Sequence, residues 1–470
     1  MRRSLRFFVA LTISLPVALV CVLHYPGSET SVLSLLVLFA SSPLWIRFGK
    51  SLWRWLTRQD IFCPLIAFPL AYIAWFAIGS INFVEVRTSI DLGAFEPIPS
   101  KILVYAGIGL AGYLCGARSS LLTSREWRRN SVPPVQWTWE PKSFRVAVLA
   151  LAFVMLGTYL CITAQTGIPI LGSEPAQQRL VVAEYHWLGT PFFASAFTVL
   201  FLLLSRLWMG TGRLAAATRR LSIGGALLVL LAFLSFGGRA PFFGAILTAL
   251  VLYHYLKKPL QFGKLTIIAV ILFAWLSVYG YLRDLTLGNS TDWLESVGLS
   301  GPMQPFAYCY LYIRQSVATF RDVVQVIPSQ VPYQYGAITT LPFQSVLPGH
   351  HQMSDWFFRN LLGNEFVGQG QPASILGPFY ADFGPVGIFV GMFAWGLLMS
   401  KLYRWMLKDR RLIPTMIFAW TTQAGLFGLF GGVFGYLDAL MIPLCWVLLD
   451  FLIRPLAHRT KLPHRVQGIA

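Results

Sequence analysis

Apolar residues run along this chain in long blocks, and the blocks are too long for strands or for the buried helices of a soluble domain. A helix that crosses the hydrocarbon core needs about 20 mostly apolar residues. Twelve stretches meet that pattern: 6–24, 31–48, 61–80, 101–118, 144–165, 188–206, 221–237, 240–256, 265–283, 379–403, 411–430 and 433–453. The pattern predicts an all-α polytopic integral membrane protein of about twelve transmembrane helices. It forms a single membrane domain over residues 1–470, with one large loop, residues 284–375, between spans nine and ten. The first block follows Met1-Arg2-Arg3, as a signal peptide would. It lacks a small-x-small cleavage site after Cys21, so it reads as a retained helix.

The large loop is itself patterned. Pro302, Pro305 and Pro328 bound a stretch over 303–327 that reads as a helix. Arg314 and Arg321 lie seven residues, two turns, apart and share one of its faces. Met353–Phe358 carries Trp356, Phe357 and Phe358 and reads as interfacial. Residues 368–387, GQGQPASILGPFYADFGPVG, precede span ten. Such a glycine- and proline-rich segment re-enters a membrane only where protein or a water-filled cavity satisfies its backbone. The glycines of 425–435 read as a helix-packing surface. No repeat relates the two halves, which weighs against an inverted-repeat transporter.

Composition agrees with the pattern. Hydrophobic residues make up 56% of the 470 and charged residues 12%, about half the charge of a soluble domain. Mean hydropathy is +0.62. The net charge of +18 would suggest nucleic acid in a soluble protein. Its distribution gives another reason. With the N-terminus in the cytoplasm, the twelve spans put 29 Lys and Arg on the cytoplasmic side and 8 outside. Acids divide the other way, 5 inside and 14 outside. This is the asymmetry of the positive-inside rule. It predicts cytoplasmic termini, contact with anionic lipid and no nucleic-acid partner.

The cytoplasmic loops hold neither GxxxxGK[ST] nor a strand-bound GxGxxG, so they offer no nucleotide chemistry. No CxxC, HExxH or other ligand spacing occurs, which predicts no metal and no cofactor. Five of the six cysteines fall in apolar runs; Cys309 is alone in the large loop, so a disulfide framework is not expected.

The chemistry is expected outside, where eight cations remain: Arg87, Lys101, Arg179, Arg239, Arg283, Arg314, Arg321 and Arg359. Five of the arginines stand out. Arg179 ends TGIPILGSEPAQQR, Arg239 follows Gly237-Gly238 at a tight turn, Arg283 closes span nine, and Arg314 and Arg321 share the loop helix. A guanidinium matches phosphate oxygens and keeps its charge in a partly dry site. The competing reading is structural: stems that snorkel to the headgroups, or ion pairs such as Arg283–Asp284 and Arg321–Asp322. The proton-handling candidates are Asp382, His350 and Glu365, with His351, Asp284 and Glu295 behind them. A lone His or Asp in a loop is more often solvated or capping.

Four segments carry a family resemblance. They are TGIPILGSEPAQQR (166–179), FLSFGGRAPFF (233–243), Tyr335-Gly336 followed by Pro342 and Pro348, and PASILGPFYADFGPVGI (372–388). In order and spacing they resemble the bacterial oligosaccharide repeat-unit polymerases, the Wzy-type O-antigen and exopolysaccharide polymerase family. Two positions depart from the family pattern: Pro378 stands where an acid is frequent, and Asp382 where Asn is frequent. The resemblance implies a GT-C-like membrane glycosyltransferase at the outer face of the bacterial inner membrane. Two undecaprenyl-pyrophosphate-linked glycans would meet there. A sugar hydroxyl would attack the anomeric carbon of the other chain, and undecaprenyl pyrophosphate would leave. Arginines would stabilise the pyrophosphate, with no metal or cofactor. A chain-length regulator and a flippase are the implied protein partners. The alternatives are an O-antigen ligase-like transferase, which shares the donor, and a flippase or permease of lipid-linked glycans. The latter predicts charges at span centres, which the sequence largely avoids.

Overall fold

The computed structural model describes residues 60–81, 98–119, 135, 139–168, 186–209, 216–235, 239–286, 304–344, 354–362, 371–431 and 438–459. These form thirteen helices. They are α1 (Ala67–Ser80), α2 (Ser100–Ser119), α3 (Pro141–Thr166), α4 (His186–Met209), α5 (Ala216–Ser235), α6 (Arg239–Leu256) and α7 (Phe262–Thr286). The remainder are α8 (Gln304–Val326), α9 (Ala337–Gln344), α10 (Ser354–Leu361), α11 (Leu376–Asp409), α12 (Leu412–Gly431) and α13 (Asp438–Arg459).

Ten of the twelve expected spans coincide with described helices; 6–24 and 31–48 lie outside the described residues. Six helices, α2, α3, α4, α7, α11 and α12, are long and apolar enough to cross a bilayer. Within α3, Leu149 is 70% and Phe153 79% exposed. A row of such side chains would be a severe liability in water and is ordinary against lipid. The protein is a multi-pass membrane protein. The expected span 61–80 resolves differently from its pattern. Residues 61–66 are buried turns, and only the 14 residues of α1 are helical. Asp60 is the local cause: its carboxylate accepts from the Phe62 amide at 3.0 Å and from the Tyr403 hydroxyl at 2.7 Å. That pins a tight turn, which Pro64 cannot extend into a helix backwards.

The chain clusters into two compact units. The first contains α1, α2, α7–α10, α11 as far as Arg404, and residues 425–435. Its tightest seam joins α2 and α11 through glycine. A Cβ at Gly116 would fall 1.9 Å from the Phe393 carbonyl oxygen, and one at Gly396 would fall 2.2 Å from that of Tyr113. Glycine on both sides lets the two backbones touch. A second seam fixes α8 to α1. The Trp75 indole donates to Ser316 at 2.9 Å, the Tyr310 hydroxyl to the Ile81 carbonyl at 2.8 Å, and Gly79 lets Val317 approach.

α11 is not one straight helix. Phe383 and Gly384 leave helical geometry, Gly384 at φ +63° and ψ −149°, and Pro385 starts the long segment. Only glycine takes that conformation without strain. A Cβ at Gly391 would fall 2.5 Å from the Phe379 ring, so the short segment 376–382 folds back along the start of the long one. Residues 385–409, at 1.5 Å each, extend about 37 Å, enough to cross the hydrocarbon core.

The second unit contains α3–α6, residues 405–424 and α13. α4 is its core. Phe197 lies 4.6 Å from Phe233 and 4.8 Å from Trp420, ring centre to ring centre, and the Trp446 indole donates to Thr198 at 2.6 Å. At the α11–α12 turn, Arg411 pairs with Asp409 and, at 3.2 Å, with Asp450.

Candidate functional site

The first unit concentrates the polar features at the fold-back of α11. Residues 371–382 are almost wholly buried, Asp382 completely. One Asp382 oxygen accepts from the Ile338 amide at 3.0 Å. The other accepts from the Thr339 amide at 2.8 Å and the Thr339 hydroxyl at 2.5 Å. The carboxylate thus caps the first turn of α9, where amides lack helical partners and negative charge is favoured. The backbone continues the join: the Gln334 amide donates to the Ala381 carbonyl at 2.9 Å, and that of Tyr335 to the Asp382 carbonyl at 3.1 Å. Tyr335 sits at φ +49° and Ser374 at φ +56°, a conformation that costs a non-glycine residue on the order of 1 kcal/mol or more. Strain of this kind persists where surrounding contacts over-determine the backbone, and it concentrates at functional sites.

A cavity of about 350 Å³ opens at the end of α8, lined by Pro99, Lys101, Ile102, Arg321, Val324, Gln325, Pro328 and Ser329. α8 and α2 each contribute one cation to its lining. Arg321 is buried and ion-paired with the neighbouring Asp322 at 2.7 Å. Lys101 is exposed in the first turn of α2, which holds no acid. Its ammonium lies 5.7 Å from the Tyr105 ring centre, and Tyr105 lies 5.4 Å from Tyr380. The Tyr380 hydroxyl donates to the Ile327 carbonyl at 3.1 Å. An aromatic chain therefore connects the cavity to the buried segment that carries Asp382.

The expected site residues distribute as follows. Arg314 and Arg321 do share a face of α8, and that face is buried. Arg314 donates to the Gly79 carbonyl at 2.8 Å, satisfying one of the carbonyls left open in the last turn of α1. Arg239 is the first residue of α6, and Arg283 stands three residues before the end of α7. Arg179, His350 and Glu365 lie outside the described residues. Among the described residues, no three His, Cys, Asp or Glu side chains come together. Lys101 was counted in the sequence only as one more external cation. A lysine in an acid-free first turn, opposed to the helix dipole, was the signal that could have singled it out.

A family model described as O-antigen polysaccharide polymerase Wzy matches residues 190–428, just over half of the chain. The chain belongs to this family. No curated protein and no solved structure matches it. The matched segment runs from α4 to within α12, so it includes α8, the α11 fold-back and all of Asp382's hydrogen bonds. The chain is thus an O-antigen repeat-unit polymerase in its general class, a membrane glycosyltransferase of polysaccharide biosynthesis.

Proposed function

We propose that this polymerase joins undecaprenyl-pyrophosphate-linked oligosaccharide repeat units at the outer face of the bacterial inner membrane. The chain would cross the membrane twelve times in a GT-C-like arrangement, with both termini cytoplasmic and the 284–375 loop outside. The acceptor hydroxyl attacks the anomeric carbon of the donor glycan, the bond between that carbon and the pyrophosphate oxygen breaks, undecaprenyl pyrophosphate departs with that oxygen, and the hydroxyl proton passes to a base. Arg239, Arg283, Arg314, Arg179 and Arg321 are the candidate holders of the charge that builds on the leaving group, with no metal or cofactor taking part. The observation that carries this reading is the pair of guanidiniums, Arg314 and Arg321, kept inside the apolar packing of a polymerase of this family. A charge buried in apolar packing is costly unless it is paired, so two buried guanidiniums on one helix need a reason.

Three groups, Asp382, His350 and Glu365, led the candidates to take the acceptor's proton. Asp382 already receives three hydrogen bonds from residues 338–339, which favours a positioning role: it holds the start of α9 against the α11 fold-back. His350, between α9 and α10 in the chain, and Glu365, after α10, are then the candidates for the base. The membrane-embedded lipid tails of donor and acceptor are the expected ligands of the exposed apolar helix faces. A chain-length regulator and a flippase are the expected protein partners.

The test is an Arg→Lys and Arg→Ala series at Arg239, Arg283 and Arg314, scored for polymer length at matched expression. A point charge does not reproduce a bidentate fork. A lost contact to the developing anion costs on the order of 3 kcal/mol, about a hundredfold in rate. Normal polymer from all three lysine variants would end the arginine reading.

A further inference from the structure

We infer that the cavity between the start of α2 and the end of α8 is a phosphate-binding site, with Lys101 and Arg321 as its two cations. The inference rests on the polymerase reading only for the source of the phosphate, not for the site.

Concavity and charge come first. The cavity, at about 350 Å³, is several times the room a phosphate group needs. Two cations line it, one buried and one exposed. Asp322 offsets the charge of Arg321, so Lys101 supplies the excess. The α2 N-terminus adds to that excess, because its first turn presents amides and contains no acid. The end of α8 acts in the opposite sense, since helix C-termini carry negative potential. The chain consumes much of that potential itself. The Val326 carbonyl accepts from the amides of Gln330 and Val331 and from the Ser329 hydroxyl, that of Gln325 accepts from the same hydroxyl, and that of Ile327 accepts from Tyr380. Among the described residues that line the cavity, the balance is positive.

The architecture supports a ligand rather than a packing defect. The Gln325 side chain offers an amide donor at the wall. Arg321 is held by Asp322 through Nε at 2.8 Å, which fixes the plane of its guanidinium. A phosphate at the wall would bring together two cations of unlike kind, a planar donor fork and a compact point charge. A lysine opposed to the dipole of its own helix is unfavourable by itself; an anion in the cavity offsets both.

Two sources share this chemistry: the pyrophosphate of a lipid-linked glycan and the phosphate headgroup of a membrane lipid. The experiment uses the full-length chain in phosphatidylcholine nanodiscs, titrated with inorganic pyrophosphate and followed by thermal shift. Saturable stabilisation is expected. Lys101→Gln, at an exposed position that leaves the packing intact, should weaken it about tenfold, the loss of one charge-assisted contact. Lys101→Arg should stay near wild type. Repeating the titration in phosphatidylglycerol nanodiscs separates the sources. Unchanged affinity there supports a pyrophosphate seat, and affinity that falls as phosphatidylglycerol rises supports a headgroup seat; either supports the site. Equal stabilisation of wild type and Lys101→Gln, or none in wild type, overturns it. The polymerase reading fails on a different result, normal polymer from the arginine variants.

Discussion

Asp382→Asn distinguishes a positioning carboxylate from a catalytic one, because the two roles lose different things. The wild-type side chain is fully buried and accepts three hydrogen bonds from Ile338 and Thr339. A hydrogen bond to a charged group contributes about 1.5–3 kcal/mol. Asparagine keeps one acceptor oxygen, for Ile338, and turns a donor toward the Thr339 amide and hydroxyl. The bond from the Thr339 amide is lost and donor faces donor there, while the hydroxyl turns to accept, so the join between α9 and the α11 fold-back should weaken by about 2–4 kcal/mol. Thr339→Val removes the hydroxyl alone and keeps a β-branched side chain; it should cost about 1–2 kcal/mol. The assay is limited proteolysis of residues 330–345 together with thermal unfolding of the purified full-length chain, read beside polymer synthesis. Asn should expose the segment strongly, Val mildly, and polymer synthesis should fall in that order. If Asn abolishes polymer while protease protection and Tm stay at wild-type values, the carboxylate is not a latch, and Asp382 returns as the base.

Three further outcomes follow from the same structure and sequence. Gly116→Ala would place a Cβ 1.9 Å from a backbone oxygen of α11, whereas at Gly107 nothing lies within 4 Å. The first should destabilise by about 1–3 kcal/mol or more and lower Tm, while Gly107→Ala should be neutral or better; equal effects would mean the α2–α11 seam is wrong. A cysteine at exposed Gln330 should react with a membrane-impermeant maleimide from outside. Protection from outside with labelling only from the cytoplasm would reverse the topology. Polymerisation by the purified chain should survive EDTA, since no ligand spacing occurs in the sequence; a loss restored by Mg²⁺ or Mn²⁺ would overturn the metal-independent reading.

Helix positions were legible because the bilayer imposes a length that soluble folds do not. Apolar runs of about 20 residues have few other uses, and ten of them coincide with described helices. The loop helix was legible for a different reason. Its bounding prolines forbid extension at either end, and the expected 303–327 is observed as Gln304–Val326. The fold-back of α11 was half legible. Its glycine and proline content marked an unusual segment, but a hydropathy window averages over residues 376–409 and does not register a reversal at one glycine. The dipeptide Gly384-Pro385 was the local signal for the break.

The site was less legible because its parts are distant in the chain. Arg314 and Arg321 were placed on one face by periodicity, which is a local property. Whether that face turns toward ligand or toward protein is decided by α1, more than 200 residues earlier, whose Gly79 carbonyl accepts a hydrogen bond from Arg314 at 2.8 Å. Lys101 carries the converse lesson. In sequence it is a polar residue at the edge of an apolar run, where a cation has every reason to sit. Only the approach of α8 from residues 321–329 turns that edge into the wall of a cavity. Arginine in the face and lysine at the edge are therefore a joint property of two segments, each ordinary alone. The cations that matter to an anionic lipid substrate are best sought where helix ends converge, rather than where arginines are most unexpected in sequence.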